Sequence, residues 1–419
     1  MERKVDYEKL PQKNILCVDM KAFYASIEAV DRGLDPQETC LAVVGDKKRR
    51  GGVVLAATPA IKEKYGIGTA SRVYQIPQKS DIKIVEARMG LYLDVSLEIT
   101  KLFNEYVPLD AIHVYSVDES WLKLDGTEDL WGNSREVAED IKKELLNRYS
   151  LSCSMGLGPN MFLSKVAMDV EGKKKGLAEW TYDDVPEKLW PLPLKKCWGI
   201  GNRLSYHLEK IGVTTVGDLA HLPLSYLENK FGIMGNQLYY HAWGVDLSEV
   251  EGHYQDRRRS LGRGITLMRD YHSLEEIKTI IFDLCEEVGR RARLNGLAGK
   301  TVNLGLDYSK EEREDGFYRQ QTRANYTNIT GEIYDTAVKL LKKYYEGQRV
   351  RKVRVALSNL SPSFIQLSLF ADREKISRLN HLKDRIQSRY DHQALFYGRS
   401  LKKGSVRKKI NTTIGGHKK

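Results

Sequence analysis

Along the first part of the chain, short apolar runs alternate with stretches of helical periodicity. Residues 14–18 form an apolar run that ends on Asp19, and in the segment from Met20 to Val30 apolar Phe23, Ile27 and Val30 recur at helical spacing. A strand, a carboxylate at its end and a helix are expected. Residues 45–52 are a loop rich in Lys and Arg. Residues 53–57 read as a second strand that enters a helix over 59–65, where Pro59 suits a first turn because an N–H there would have no partner. Leu91, Val95, Ile99, Leu102 and Phe103 make one face of an amphipathic helix. A strand over 111–117, the pair Asp118 and Glu119, and a return strand over 121–124 then predict a tight hairpin with an acidic tip. A helix over 134–148, a strand over 152–157 and a helix over 160–169 follow. Such alternation predicts a mixed α/β sheet with helices packed on it.

Around residues 190–193 the pattern changes to short helices punctuated by glycine. Gly199 and Gly201 precede a helix over 202–210, Gly212 ends it, and another helix follows Thr215. The spacing is that of a helix-hairpin-helix, whose tight glycine turns let backbone N–H groups approach a DNA phosphate; two ordinary helix caps would look the same. A dinucleotide fingerprint is excluded, since the third glycine and a preceding strand are missing. Beyond Arg257, Arg258 and Arg259 the order is a strand from 260, helix 273–294, strands 300–308 and 317–323, helix 329–345 and strand 351–358, a ferredoxin-like βαββαβ order.

At 419 residues the chain is too long for one core, so a multidomain protein of α/β and α+β parts is expected. With 41% hydrophobic residues it can bury those cores, which excludes wholesale disorder. No run approaches the roughly 18 uninterrupted apolar residues of a membrane helix, and the first residues lack the apolar centre of a signal peptide. A cytoplasmic protein with no membrane partner is expected. Five widely spaced cysteines without a CxxC pair argue against a disulfide framework or a zinc site. Of the formal net charge of +11, residues 371–419 carry +10, and the rest of the chain is close to neutral. Such a basic tail can follow a nucleic-acid backbone, lie on an anionic membrane or stay solvated, and charge pattern alone does not choose.

Hard divalent cations such as Mg²⁺ take oxygen ligands and are usually held by one or two carboxylates together with substrate phosphates. Asp19 at a strand end and Asp118 with Glu119 at a hairpin tip can converge on one sheet edge, with the Met20 carbonyl beside them. One acidic pair among 56 acidic residues carries little weight by itself. Its place in an apolar hairpin adds some, because a buried charge there needs solvent or a partner.

The string DMKAFYASIE from Asp19, YSVDESWL from Tyr115 and FLSKVAMD from Phe162 resemble the palm motifs of the Y-family, or translesion, DNA polymerases. Together with the hairpin glycines and the βαββαβ segment the resemblance spans residues 14–370, and is nearest to the Gram-positive, UvrX-type ultraviolet-damage repair branch. It implies a right-hand polymerase with a palm (1–31 and 91–190), small fingers (32–90), a helix-hairpin-helix thumb (191–256) and a ferredoxin-like little finger (257–360). Residues 361–419 would hold a clamp-binding peptide and the basic tail. It further implies template-directed addition of dNTPs to a primer 3′-OH on primer-template DNA, in DNA damage tolerance and the SOS response, by a monomer associated with the nucleoid.

In the terms of the resemblance, Asp19, Asp118 and Glu119 would be catalytic and, with the Met20 carbonyl, would hold two Mg²⁺ ions. Tyr24 falls at the steric-gate position, where an aromatic ring would collide with a ribose 2′-OH; on spacing alone it reads as a core aromatic. Phe23, Tyr24, Lys62 and Lys165 would contact the dNTP, although Lys165 also reads as a solvated helix lysine. Gly199, Gly201, Arg203, Arg259 and Arg263 would touch DNA. Gln366, Leu367, Ser368, Leu369 and Phe370 resemble the pentapeptide that binds the sliding clamp (beta subunit). The chain departs from the pattern in the fingers, where Ala60 and Glu63 stand in place of the usual Tyr and Arg triphosphate contacts and Lys62 or Lys64 would substitute, and at Ala22, which is aromatic in some relatives. The alternative reading is a catalytically silent DNA- and clamp-binding accessory protein, and a palm-type nucleotidyl cyclase would need neither hairpin helices nor a clamp peptide.

Overall fold

The computed structural model describes residues 5–47, 49, 51–250, 259–363, 372–391, 393–414 and 417–418. The chain divides into two compact units, Met1–His253 and Tyr254–Lys419.

The first unit runs β1 (Ile15–Met20), α1 (Phe23–Val30), β2 (Cys40–Val44), β3 (Val54–Ala57), α2 (Pro59–Tyr65), β4 (Ile82–Glu86), α3 (Met89–Tyr106), β5 (Ile112–Val114), β6 (Glu119–Lys123), α4 (Ser134–Tyr149), β7 (Cys153–Gly158), α5 (Met161–Ala167) and β8 (Leu177–Glu179). Four helices complete it: α6 (Asn202–Glu209), α7 (Val216–Ala220), α8 (Leu224–Phe231) and α9 (Ile233–Ala242). The main sheet has the order β5-β6-β1-β7-β8. Its centre is β1, antiparallel to both β6 and β7, which is why Ile15, Leu16, Cys17 and Val18 are all apolar and buried. Helix α5 lies so close to β7 that a Cβ at Gly156 would stand 2.1 Å from the Ser164 carbonyl oxygen, and one at Gly158 would stand 2.6 Å from the Ser164 nitrogen. Only glycine fits at either place. Trp121 on β6 fastens the same helix by donating to the Met161 carbonyl at 3.0 Å.

The expected strand over 111–117 is shorter than its apolar content suggested, because residues after Val114 turn toward the hairpin tip. Two unexpected strands, β2 and β4, pair in parallel and with β3 form a second sheet, against which α1 and α2 pack. Helices α6 to α9 gather around Leu208, Val213, Val216, Leu219, Leu227 and Leu238.

The second unit contains β9 (Ser260–Tyr271), α10 (Leu274–Leu294), β10 (Leu297–Tyr308), β11 (Gly316–Thr327), α11 (Thr330–Tyr344) and β12 (Val350–Pro362), the βαββαβ order read from the sequence. Its antiparallel sheet has the order β11-β10-β12-β9, and alternate residues such as Val302, Leu304, Leu306, Val353, Val355 and Leu357 meet α10 and α11 on one face. The basic stretch expected as a tail is instead largely folded. It forms α12 (Arg373–Tyr390) and α13 (Arg407–Asn411). Asp384 of α12 is ion-paired with buried Arg293 at 2.6 Å, and buried Asp283 accepts from the Ser400 and Ser405 hydroxyls at 2.6 and 2.8 Å and from the Val406 N–H at 2.8 Å. Of the cations in this stretch Arg373, Lys383 and Arg407 are buried, while Lys375, Arg378, Arg385 and Arg389 stay exposed. The peptide Gln366, Leu367, Ser368, Leu369 and Phe370 lies outside the described residues. All five cysteines are free and buried.

Candidate active site

Three carboxylates come together because the register of one strand pair puts them there. Asp19, near the end of β1, stands directly opposite Glu119, the first residue of β6, and the Met20 N–H donates to the Asp118 carbonyl at 2.9 Å, which fixes the turn residue beside them. Ala22 then takes a left-handed conformation, φ 48° and ψ 41°, where a residue with a Cβ is strained by about 1 kcal/mol. That turn swings the chain from β1 into α1 and leaves Met20 through Tyr24 along one wall of a cavity of about 590 Å³. Asp19, Asp118, Lys62 and Lys173 also line it.

The electrostatics are those of a charge-balanced, partly dry site. Burial pushes Asp19 and Glu119 above the ordinary carboxylate range; Lys165 opposes the shift at both and Lys173 at Asp19, while repulsion from Asp118 and Asp169 adds to it at Asp19 and repulsion from Asp19 and Asp169 adds to it at Glu119. Lys165 Nζ lies 2.9 Å from Glu119 Oε1 and 3.5 Å from Asp169 Oδ2. Lys173 reaches Asp169 at 2.5 Å and Asp19 at 3.6 Å. Lys62 is lowered by desolvation and then by Lys173, so these two ammonium groups share one rim.

Each carboxylate is turned to a partner: Glu119 to Lys165, Asp19 to Lys173, and Asp118 to the Ser116 hydroxyl, which donates at 2.6 Å. Among the described residues no three His, Cys, Asp or Glu side chains are closed into a metal cluster. The donors are nevertheless all oxygen and fixed by backbone pairing, the chemistry that suits a hard divalent cation.

Tyr24 lines the cavity and stacks face to face on Tyr92, with ring centroids 4.4 Å apart and planes 13° apart. Tyr92 in turn donates to buried Glu28 at 2.7 Å. Arg88 grips both oxygens of Glu28 at 3.0 and 2.8 Å, and Arg32 bonds the same carboxylate. Glu28 is one helical turn beyond Tyr24 on α1, and its ion pairs fix Tyr92, the ring on which Tyr24 stacks.

The expected residues are thus sorted by the structure. Phe23, Tyr24 and Lys62 line the cavity. Lys165 does not: at 5% exposure it is neither solvated nor on the cavity wall, but sits behind the carboxylates, while Lys173 occupies the place expected of it. Lys173 was missed because it stands in a run of three lysines that reads as a solvated charge cluster. Gly199 has φ +88°, a value that itself calls for glycine, whereas Gly201 does not, and a Cβ at either would meet no atom within 4 Å. Arg203 and Arg259 are exposed. Arg263 is half-buried and donates to Thr413 Oγ1 at 2.9 Å.

Residues 18–169 match the model of the impB/mucB/samB family, residues 258–369 its C-terminal domain and residues 182–213 the family's helix-hairpin-helix motif. The chain is 47% identical to a putative UV-damage repair protein UvrX of Bacillus subtilis (strain 168) over 419 residues, covering 99% of this chain and all of that one. This chain belongs to the impB/mucB/samB, or Y, family. Another member of the family, DNA polymerase IV 2 of the same organism, is 36% identical over 98% of this chain and 100% of its own length. A solved Y-family DNA polymerase chimera shares the family fold with a TM-score of 0.68 at 21% identity, covering 84% of this chain and all of its own. Among the described residues no helix is long and apolar enough to cross a membrane.

Proposed function

We propose that this chain is a translesion-type DNA polymerase that adds dNTPs to a primer 3′-OH on primer-template DNA, in DNA damage tolerance. The observation that carries the reading is Asp19 and Asp118 on the wall of a cavity that also holds two lysines and an aromatic floor, with Glu119 paired to Asp19 across β1 and β6. Asp19, Asp118, Glu119 and the Met20 carbonyl would hold Mg²⁺ ions, which supply activation of the primer hydroxyl and neutralisation of the leaving pyrophosphate. Lys62 and Lys173 bind the triphosphate as point charges. Lys165 keeps Glu119 oriented and offsets the repulsion between crowded carboxylates. Tyr24 lies under the incoming sugar and excludes a 2′-OH by contact. Gly201, where neither φ nor internal packing requires glycine, leaves the α6 N-terminus open to a DNA phosphate. The palm, fingers, thumb and little finger would occupy the segments expected from the sequence, with the little finger continued by α12 and α13. Residues 366–370 would tether the enzyme to the sliding clamp.

Primer extension with Mg²⁺ and four dNTPs tests this reading. Wild-type protein should extend a primer, Asp118→Ala should not while still binding primer-template, and Gln366→Ala with Leu369→Ala and Phe370→Ala should lose only stimulation by the clamp. Extension by Asp118→Ala at the wild-type rate would remove the assignment, and an inactive wild type that binds DNA and clamp would favour the silent accessory reading.

A further inference from the structure

Helix α12 reverses the usual arrangement of a surface helix. The face it buries is polar: Arg373, Ser377, Asn380, Asp384 and Gln387 turn to the domain, where Arg373 holds Glu332 at 2.8 and 3.0 Å and Asp384 holds Arg293 at 2.6 Å. Its apolar side chains are outside. Ile376, Leu379, Leu382 and Tyr390 are 42%, 57%, 50% and 66% exposed, and Ile386 is half-buried. Single exposed apolar residues need no explanation, but a continuous row of five along one helix marks a contact surface.

The row has a period. Ile376, Leu379, Lys383, Ile386 and Tyr390 follow the alternating three- and four-residue spacing of a two-helix seam. Lys383, the one polar member, is turned to Glu286 inside the domain, and Leu382 beside it takes over its place on the surface. The seam is about 21 Å long at 1.5 Å per residue, or roughly four turns, and its spacing matches a second helix.

Charge selects which helix. One edge of the seam, at Asn380 and Gln387, is closed by the domain itself. The open edge carries Lys375, Leu382 and Arg389, the positions from which such seams exchange ion pairs. Of the acidic residues on α12, Glu374 is committed to Arg378 and Asp384 to Arg293, so the open edge is basic. A second copy packed antiparallel would set these cations against their own counterparts, and nucleic acid would take the arginines while leaving the leucines wet. We propose that α12 is a docking surface for an acidic amphipathic helix of another protein, with apolar side chains along the seam and carboxylates against Lys375 and Arg389.

The test uses the full chain and two synthetic helical peptides of about 21 residues, each with Leu at the seam positions, one with Glu and the other with Lys on the flanks, followed by fluorescence anisotropy. The Glu peptide should bind at least about tenfold more tightly than its Lys twin and lose affinity as salt rises. Leu379→Asp with Leu382→Asp should abolish binding. Lys375→Glu with Arg389→Glu, which leaves the apolar seam intact, should invert the preference, and both variants should melt and extend primers like wild type. Equal or absent binding of the two peptides, or undiminished binding by the Leu379→Asp, Leu382→Asp protein, would overturn the proposal. So would a wild-type dimer that those substitutions dissolve, which would identify a second copy as the occupant, or their abolition of flotation with phosphatidylglycerol vesicles, which would identify a membrane.

Discussion

At the scale of single residues, the stack of Tyr24 on Tyr92 turns a ring into a fixed surface. Tyr24→Ala removes the surface and should raise ribonucleotide incorporation relative to dNTP by at least about tenfold, equivalent to roughly 1.4 kcal/mol. Tyr92→Leu leaves Tyr24 in place but unsupported and should give a smaller change in the same direction, while Tyr92→Phe, which keeps the stack, should stay near wild type. Single-nucleotide incorporation with rNTP and dNTP measures all three, and unchanged discrimination in Tyr24→Ala would place the gate elsewhere. The two lysines separate in a similar way. Lys173→Ala should raise the KM for dNTP, since a charge-assisted phosphate contact is worth about 1.5 to 3 kcal/mol. Lys165→Ala should chiefly lower kcat, because it leaves half-buried Glu119 without its cation. A KM effect confined to Lys165 would reverse the assignment made from the cavity wall.

At the scale of elements, buried charge on α10 ties the second unit to pH. Burial pushes Glu287 up, but Arg290 and then Arg291 outweigh it and hold its carboxyl down at about 2. A carboxylate depressed on folding contributes stability above its unfolded value, near 4.5, and loses it as pH falls toward about 2. Glu287→Gln should therefore lower the stability of the second unit at pH 7, by an amount on the order of 2–4 kcal/mol, and the difference from wild type should close below pH 4. Urea titrations at several pH values check this, and a gap independent of pH would assign the effect to packing. What the sequence disclosed at this scale follows from periodicity. The helices α1 and α3 and the whole βαββαβ order were legible because their apolar positions repeat on one face, and the carboxylates were legible because Asp19 and Asp118 end apolar segments. β2 was not, since all five of its residues are buried and a short continuous apolar run has no period. α12 was hidden for the opposite reason: its buried face is polar, so its composition resembled a tail. Lys173 lies beyond a π turn over Met168–Gly172, which interrupts the regular spacing by which a sequence places one helical residue above another.

At the scale of the whole molecule, each unit has its own core and should fold alone. A fragment of residues 1–253 should melt cooperatively and keep nucleotide-dependent stabilisation while binding primer-template more weakly than the full chain. Calorimetry of that fragment is the check, and a fragment without a cooperative transition would show that the first unit depends on the second. The order of the second sheet has a consequence for synthesis. Among the described residues β9 has a single strand neighbour, β12, and its residues 260–266 pair with 352–358. On a ribosome adding 5–20 residues per second, that partner arrives about 5 to 20 seconds after β9 itself. Through that interval Leu261, Ile265 and Leu267 have neither their strand neighbour nor a completed core. A stalled or truncated nascent chain that ends before Val350 should consequently be a chaperone client, with an adhesive edge that the finished protein never displays.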